Sequence, residues 1–274
     1  ASGTAMASGV KTLNGVVGIS SKNKTPKSIL EISKEQGYQT ALIATSSIVH
    51  ATPASFYANV VSRKEYENIA LQMSTSVVDY FIGGGKKHFN DREDNRNLIN
   101  EMSAYDIVSS LSKFDSSAAL KIGHFTNRDE PNKIMDGRLP LKDAVQSVLN
   151  KLDRDKKPFF MMVEGSQIDW GGHANEIEYV ISEFNDFDAA IQTVLDYTIE
   201  HPNTLVIVTA DHETGGLTIP KGSIKKMRPS VDFSTAGHTA SMVPVFAKGP
   251  SADTFSGIYD NTLIFTKMLN VLNE

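Results

Sequence analysis

The chain has 274 residues, of which 40% are hydrophobic and 22% charged, and its formal net charge is −5. This composition is typical of a folded globular protein and excludes extended disorder. The acidic balance argues against a nucleic-acid surface, and no apolar run reaches the roughly 18 residues of a membrane-spanning helix. Because the chain has no cysteine, any metal must be bound by histidine, carboxylate and hydroxyl groups.

The first half of the chain alternates helical and extended patterns. Thr25-Pro26 predicts an N-cap followed by a first-turn proline, and Gly37 is the predicted stop of that helix. The apolar run Thr40–Ala44 predicts a short buried strand. Leu139-Pro140 then leads into a further helix, in which apolar residues recur on one face.

The same alternation continues to the last residues. Phe159–Val163 predicts a buried strand, and the longest helix is predicted from about Glu176. Leu205–Val208 and Val243–Phe246 predict two more buried strands, and a last helix is predicted over Thr262–Leu272. Such alternation implies an α/β fold with a mostly parallel central sheet and helices on both faces. We find no repeat and no interdomain linker, so residues 1–274 are expected to form a single domain.

Side chains able to bind metal lie beside the predicted strands. In open parallel sheets, ligands gather at the carboxyl ends of the strands. Three segments follow a strand and one precedes a strand: 45–53 with His50, 164–173 with Glu164, Asp169 and His173, 209–216 with Asp211 and His212, and 236–239 with His238.

Each segment alone also has an ordinary structural interpretation. The spacing of Asp169 and His173 places both side chains one helical turn apart, as in many zinc sites, but a solvated carboxylate and a loop histidine are equally common. The pair Asp211-His212 in a glycine-rich turn is more often a turn or a helix cap. His238 alone is more often structural. Together, however, four of the seven histidines and three carboxylates would meet at one sheet edge, which is enough for two or three adjacent metal sites of the kind used in phosphoryl transfer.

Four stretches of the sequence closely resemble alkaline phosphatases. VEGSQIDWGGHAN (163–175) and TADHETGGL (209–217) resemble the metal-binding segments of that family. HATPASFYANVVSRKEY (50–66) resembles the stretch with its magnesium-ligand threonine and substrate-binding arginine, and ASGTAMASGVKTLNG (1–15) resembles the helix after its nucleophile. The resemblance extends from the first residue to the last helix, and it implies an alkaline-phosphatase-like three-layer α/β sandwich.

The resemblance implies two Zn²⁺ and one Mg²⁺ per subunit. The ligands would be Asp169, His173 and His238 for the first zinc, Asp211 and His212 for the second, and Thr52 and Glu164 for magnesium. An aspartate expected upstream of the sequence would complete the second zinc site. Arg63 would bind two phosphate oxygens through its planar guanidinium fork, a task for which lysine is a poor replacement.

The position of the nucleophile follows from the same resemblance. In the family this serine lies in an Asp-Ser-Ala-x-Ser-x-Thr string, whose end resembles Ala1-Ser2-Gly3-Thr4. The nucleophilic serine is therefore expected two residues upstream of Ala1, in a domain whose N-terminal part this sequence lacks. In an alternative register Ser2 is itself the nucleophile, but in that register SGVKTLNG (8–15) no longer aligns with the family segment that it resembles.

Two residues depart from the best-studied bacterial relatives, which have Asp and Lys near the magnesium and the phosphate. This chain has His50 and Trp170 at those positions. Because imidazole suits zinc better than magnesium, His50 would bring the third metal site closer to zinc-type ligation. Trp170 would either pack over the site or act beside the phosphate.

The implied reaction is hydrolysis of phosphate monoesters through a phosphoserine intermediate, with release of inorganic phosphate. Phosphodiesterases, sulfatases and cofactor-independent phosphoglycerate mutases share the metal layout and are alternatives. A sulfatase is disfavoured because it converts a cysteine or serine to formylglycine, and this chain has no cysteine. An alternative of another class is a metal-binding protein without catalysis.

Expectations about assembly and location come from the resemblance alone. They are a homodimer and an exported enzyme, periplasmic or secreted, that acts on small phosphate monoesters. No nucleic-acid-specific binding and no membrane span are expected. Residues 217–237, between Gly216 and His238, correspond to the crown insertion of many relatives but are shorter. A smaller dimer interface or a more open site would follow.

Overall fold

The computed structural model describes residues 1–154, 156–226 and 228–273. Its strands are β1 (Gln39–Ser47), β2 (Tyr80–Gly84), β3 (Asp106–Val108), β4 (Ile122–Phe125), β5 (Phe159–Glu164), β6 (Val206–Thr209), β7 (Glu213–Thr214), β8 (Leu217–Ser223), β9 (Arg228–Phe233), β10 (His238–Thr239) and β11 (Val245–Lys248). Its α-helices are α1 (Ser2–Ser8), α2 (Ile29–Glu35), α3 (Ala51–Ala54), α4 (Tyr66–Ser74), α5 (Lys87–Asn90), α6 (Leu98–Glu101), α7 (Leu111–Ser116), α8 (Leu141–Arg154), α9 (Gln167–Ala174), α10 (Ile177–Glu200) and α11 (Thr262–Leu272). Short 3₁₀ helices lie at Ile134–Asp136, Ile224–Lys226 and Ala252–Phe255.

Five strands form a parallel sheet in the order β3-β4-β2-β1-β5. In β1 all nine residues are buried, and Leu42 lies opposite Phe81 of β2 and Met162 of β5. A continuous buried run of this kind is typical of a parallel strand that is covered on both faces. The predicted α/β fold with a mostly parallel central sheet is confirmed.

Two hydrophobic cores cover the two faces of the sheet. Successive side chains of a strand point to opposite faces, so Leu42 belongs to one core and Ile43 to the other. The first core includes buried residues of α2 and α4, and the second includes buried residues of α8 and α10. Helices therefore lie on both faces, as the alternating pattern predicted.

The helix α2 begins later than predicted. Thr25-Pro26 does not form its first turn; the N-cap is Ser28, whose Oγ accepts a hydrogen bond from the backbone N of Glu31 (3.1 Å). The Glu31 carboxylate in turn accepts from the backbone N of Ser28 (2.7 Å). This reciprocal capping box satisfies two backbone donors at the start of the helix. The predicted stop is confirmed, since Gly37 follows the helix with φ of 89°.

The other helix predictions hold. α8 begins at Leu141, directly after Leu139-Pro140, and α10 has Glu176 as its N-cap. α11 spans the predicted residues Thr262–Leu272. Among the helices of the described residues, none is both long and apolar enough to cross a bilayer.

The strands predicted at Leu205–Val208 and Val243–Phe246 form as β6 and β11, but the prediction that they are buried is wrong. In the described part of the chain they pair only with each other, antiparallel, with Phe246 opposite Val208. Because each strand has only this one neighbour among the described residues, each keeps a free edge. Phe246 is accordingly 64% exposed. β8 and β9 form a separate antiparallel hairpin, which lies within the insertion expected at 217–237.

A buried ion cluster joins α10 to the start of α8. Arg138 donates from Nη2 to Glu183 and to Asp186, the latter at 3.1 Å. Glu183 also accepts from the backbone N of Ile134 (2.7 Å), and Asp186 accepts from that of Leu141 (3.0 Å). All three charged side chains are at most 6% exposed. Removing one partner of such a buried group leaves uncompensated charge.

We predict that Arg138→Met lowers the free energy of unfolding by about 3–5 kcal/mol, because two buried carboxylates lose their cation. Urea denaturation followed by circular dichroism measures the change. The matched control is Lys27→Met, which breaks an ion pair with Glu35 whose side chains are 60% and 57% exposed. That change should stay below about 1 kcal/mol. An equal loss in both variants would contradict a structural role for the buried cluster.

Candidate metal centre

Part of the predicted site follows two parallel strands at one edge of the sheet. β1 ends at Ser47 and β5 ends at Glu164, and the two strands pair in parallel. The helix α3 after β1 carries Thr52, and α9 after β5 carries Asp169 and His173. This carboxyl edge is where α/β sheets bind ligands.

Three histidines converge on one oxygen atom of Asp169. Its Oδ1 lies 3.4 Å from His173 Nε2, 3.5 Å from His238 Nε2 and 4.0 Å from His212 Nδ1. The rings of His212 and His238 stack with 3.6 Å between their centroids. A carboxylate and several imidazoles at such distances form the donor set that zinc prefers in proteins without cysteine ligands.

His212 lies between the two zinc sites that the resemblance implies. Its Nε2 is 3.2 Å from Asp211 Oδ2, yet Asp169, His212 and His238 also offer ligand atoms within 4.8 Å of one another. His173 Nε2 is the nearer neighbour of Asp169, and it lies 3.2 Å from His238 Nε2. These shorter distances favour His173 as the partner of Asp169 and His238, and they leave His212 to Asp211.

Hydrogen bonds orient two of these side chains. His173 Nδ1 lies 2.6 Å from the carbonyl oxygen of Ala236, and donation there leaves the lone pair of Nε2 facing Asp169 and His238. Thr214 Oγ1 donates to Asp169 Oδ1 and lies 3.2 Å from His212 Nδ1. Thr214 was not predicted as a site residue, because nothing in its local sequence indicates a partner 45 residues away.

Two glycines allow α9 to lie close to its neighbours. A Cβ on Gly172 would lie 2.9 Å from the carbonyl oxygen of Thr214, and one on Gly171 would lie 2.9 Å from the backbone N of Val180. Backbone atoms cannot turn aside as a flexible side chain can. The glycines therefore permit the approach that brings Asp169 to the histidines, a role that the sequence motif alone did not suggest.

Glu164 occupies a half-buried position at the end of β5. Its carboxylate accepts a hydrogen bond from Ser166 Oγ at 2.6 Å, and the hydroxyl group of Thr52 lies close enough to act on its pKa. Burial raises the pKa of Glu164 to about 7, and the nearby negative charge of Asp211 adds to the shift, while the two hydroxyl groups oppose it. Thr52 and Glu164, the two predicted magnesium ligands, therefore lie close together. Their hydroxyl and carboxylate oxygens are of the type that suits magnesium.

Arg63 forms a hydrogen bond with His50. Its Nη2 lies 3.0 Å from His50 Nε2, and because a guanidinium group can only donate, the ring proton must be on Nδ1. Within the described residues that buried Nδ1 has no hydrogen-bond partner. Burial lowers the pKa of His50 to about 4, with a further contribution from the charge of Arg63. Trp170 packs edge-on against the His50 ring, with 5.9 Å between the ring centroids. This contact favours packing over the site as the role of Trp170.

The first turn of α1 also reaches the site. Ser2 Oγ donates to Asp211 Oδ2 at 2.8 Å. This contact joins the segment that resembles the neighbourhood of the nucleophile to the Asp211-His212 pair.

Comparison with known proteins identifies relatives of this chain. The alkaline phosphatase family model matches residues 1–227 and 221–274. Alkaline phosphatase 3 of Bacillus subtilis (strain 168) is 33% identical over 356 residues, which cover 99% of this chain and 76% of the relative. Alkaline phosphatase 4 of the same organism is 39% identical over 228 residues, which cover 80% of this chain and 50% of the relative.

Solved structures give the same result. Alkaline phosphatase from the Antarctic bacterium TAB5 superposes with a TM-score of 0.94 and 41% identity, and the match covers 99% of this chain and 83% of that chain. Two variants of that enzyme, with a histidine replaced by glutamate or by aspartate, have Mg bound in the M3 site. The cold-active enzyme of a psychrophilic Shewanella sp. superposes with a TM-score of 0.91 and 31% identity, over 99% of this chain and 85% of that chain. The chain therefore belongs to the alkaline phosphatase family, the metal-dependent hydrolases of phosphate monoesters.

Proposed function

We propose that the residues around Asp169 bind two zinc ions, that Thr52 and Glu164 bind one magnesium ion, and that this centre hydrolyses phosphate monoesters through a phosphoserine intermediate. The observation that carries the proposal is the convergence of three histidine nitrogens on Asp169 Oδ1, at 3.4 to 4.0 Å. The proposed zinc ligands are Asp169, His173 and His238 at the first site and Asp211 and His212 at the second.

Each group of residues has its own task in this reaction. When bound, divalent cations lower the pKa of a nearby hydroxyl group or water and stabilise charge on a leaving oxygen. A serine hydroxyl loses its proton to solvent and its oxygen attacks phosphorus, while the P–O bond to the leaving group breaks and that oxygen takes a proton from water to depart as an alcohol. Water then cleaves the P–O bond of the phosphoserine, which releases inorganic phosphate and regenerates the serine. Arg63 binds two oxygens of the phosphoryl group, and its hydrogen bond to His50 Nε2 orients the guanidinium plane.

Two positions compete for the nucleophile. The family string places it two residues upstream of Ala1, and this is the position that we propose. Ser2 is the alternative, and its hydrogen bond to Asp211 Oδ2 keeps its hydroxyl beside the proposed second zinc site.

We predict that EDTA abolishes hydrolysis of p-nitrophenyl phosphate by the full protein and that added Zn²⁺ and Mg²⁺ restore it. Without bound divalent cations, the histidine and carboxylate cluster has no positive charge to activate the nucleophile or to stabilise the leaving oxygen. Nitrophenol release at alkaline pH and metal analysis of the same samples provide the measurement. Undiminished turnover in EDTA would contradict the proposal. Bound zinc without turnover would instead identify a metal-binding protein, and faster cleavage of bis(p-nitrophenyl) phosphate would identify a diesterase.

The same assay separates the two nucleophile registers. A Ser2→Ala variant should still become phosphorylated on a serine and turn over substrate. Loss of both signals in a variant that binds zinc normally would assign the nucleophile to Ser2.

We predict that Arg63→Ala lowers kcat/KM by about 100-fold, by analogy with other positioned donors to transition-state charge. Arg63→Lys should recover little of this loss, because an ammonium group lacks the planar fork. Steady-state kinetics on p-nitrophenyl phosphate and inhibition by inorganic phosphate measure both changes. Lys64→Ala, at the exposed neighbouring cation, is the control and should leave kcat/KM unchanged. An unchanged kcat/KM in Arg63→Ala would refute its role in phosphate binding.

We propose His50 as the residue that decides which metal the third site prefers, as the Mg-bound histidine variants of the TAB5 enzyme suggest. His50→Asp is predicted to raise the magnesium content and lower the zinc content, because carboxylate oxygen suits magnesium better than imidazole does. Elemental analysis of protein dialysed against both metals measures this. Zinc and magnesium contents equal to those of the wild type would count against the hypothesis.

Assembly and location complete the proposal. We propose a homodimer that is exported to the periplasm or secreted, on the grounds of family resemblance. The β8/β9 hairpin within 217–237 is the proposed counterpart of the crown insertion, and the proposed domain comprises the whole of residues 1–274.

A further inference from the structure

Two buried serines form a chain of hydrogen bonds to the proposed magnesium ligand Glu164. Ser166 Oγ lies 2.6 Å from Glu164 Oε2 and 2.9 Å from Ser46 Oγ. Ser46 belongs to β1, whereas Ser166 follows β5 and precedes α9. Ser46 is 0% exposed and Ser166 is 5% exposed, so water cannot readily replace either hydroxyl group as a partner of the carboxylate.

The direction of the hydrogen bonds follows from the number of protons. A serine hydroxyl has one proton to donate, and an ionised carboxylate can only accept. Ser166 Oγ therefore donates to Glu164 Oε2, the nearer of its two acceptors, and Ser46 Oγ is its more distant acceptor at 2.9 Å. Ser46 Oγ donates in turn to the carbonyl oxygen of Ser47 at 3.3 Å. We call this chain of hydroxyl contacts, in which Ser46 holds Ser166 and Ser166 contacts Glu164, the relay.

Helix capping does not account for the serine at this position. Ser166 is the N-cap residue of α9, where a serine side chain ordinarily accepts from a backbone N in the first turn. Its hydroxyl makes no such bond, and its backbone is already helical with φ of −60° and ψ of −30°. The neighbouring Gln167 holds this turn in place, since its Nε2 donates to the carbonyl oxygen of Thr45 (2.8 Å). The Ser166 hydroxyl is therefore directed to Glu164.

We propose that Ser46 and Ser166 are positioning residues for the magnesium site. Their relay fixes Glu164 Oε2 and leaves the other carboxylate oxygen to bind the ion together with Thr52. This inference rests on the proposed function, because it assumes that Glu164 is a ligand. Groups that hydrogen-bond to a metal ligand hold its orientation, and their loss typically lowers metal affinity by about 10–100-fold.

The test is magnesium affinity, measured by calorimetric titration of zinc-loaded, magnesium-free full protein with Mg²⁺. Ser166→Ala should weaken Mg²⁺ binding by about 10–100-fold. Ser46→Ala should weaken it less, because Ser166 keeps its bond to Glu164. Ser166→Thr retains the hydroxyl group and should recover most of the lost affinity, which a purely steric role of the serine would not produce.

The matched control is Ser33→Ala. Ser33 is also 0% exposed, and its Oγ donates to the carbonyl oxygen of Ile29 within α2 (2.7 Å). This variant should keep wild-type magnesium affinity, and thermal unfolding of the metal-free proteins should be similar in Ser33→Ala and Ser166→Ala.

Three outcomes would overturn the inference. Wild-type magnesium affinity in Ser166→Ala refutes the relay while the proposed site stands. An equal loss of affinity in Ser33→Ala also refutes it, because the effect would then be a general one of buried serines. Failure of the wild-type protein itself to bind Mg²⁺ refutes the proposed magnesium site and the relay with it.

Discussion

The convergence of three imidazoles on one oxygen of Asp169 is the interaction on which the rest of the centre depends. The three histidines belong to separate stretches of the chain, namely α9, the turn after β6, and β10. Only a close approach of α9 to β7 brings these stretches together, and that approach requires a residue without Cβ at Gly172. A change in the backbone there would move Asp169 and His173 together, because both lie on the same rigid helical turn.

Charge balance explains why the same edge of the sheet needs cations. Glu164, Asp169 and Asp211 gather at this edge, where burial and the negative charges of Asp211 and Asp169 raise the pKa of Glu164. His50 offers little compensation, because burial beside Arg63 lowers its pKa to about 4 and keeps it neutral. Arg63 therefore supplies a single positive charge. Divalent cations would supply the remainder and would favour the ionised carboxylates that bind them.

The sequence predicted the elements better than their contacts. Hydrophobic periodicity located α8, α10 and α11, and in α8 the periodic apolar face is buried. It placed the start of α2 too early, because Thr25-Pro26 is as plausible a helix start as the capping box at Ser28 that forms. It also could not foresee that β6 and β11 pair with each other, because short apolar runs do not specify their neighbours.

The proposed ligand residues were assigned from the sequence for a different reason. Ligands gather after strands as a general rule of parallel sheets, and the motif resemblance adds the likeness of these segments to known metal segments. The supporting residues follow no such rule. Thr214 contacts Asp169 across 45 residues, and Ser166 contacts Ser46 across 120. Serine and threonine are too common in loops for their type to indicate such a partner, so only the folded structure identifies them.

His50 connects the phosphate-binding group to the proposed third metal site. Its Nε2 accepts from Arg63, so in this arrangement the nitrogen that lacks a proton is already occupied. A metal ion can bind imidazole only through a nitrogen without a proton. His50 can thus orient Arg63 or bind a metal through Nε2, but it cannot do both through that atom. Under the proposed function, a metal that drew His50 away would free the guanidinium group, and metal choice at the third site would then be coupled to the orientation of Arg63 through one imidazole.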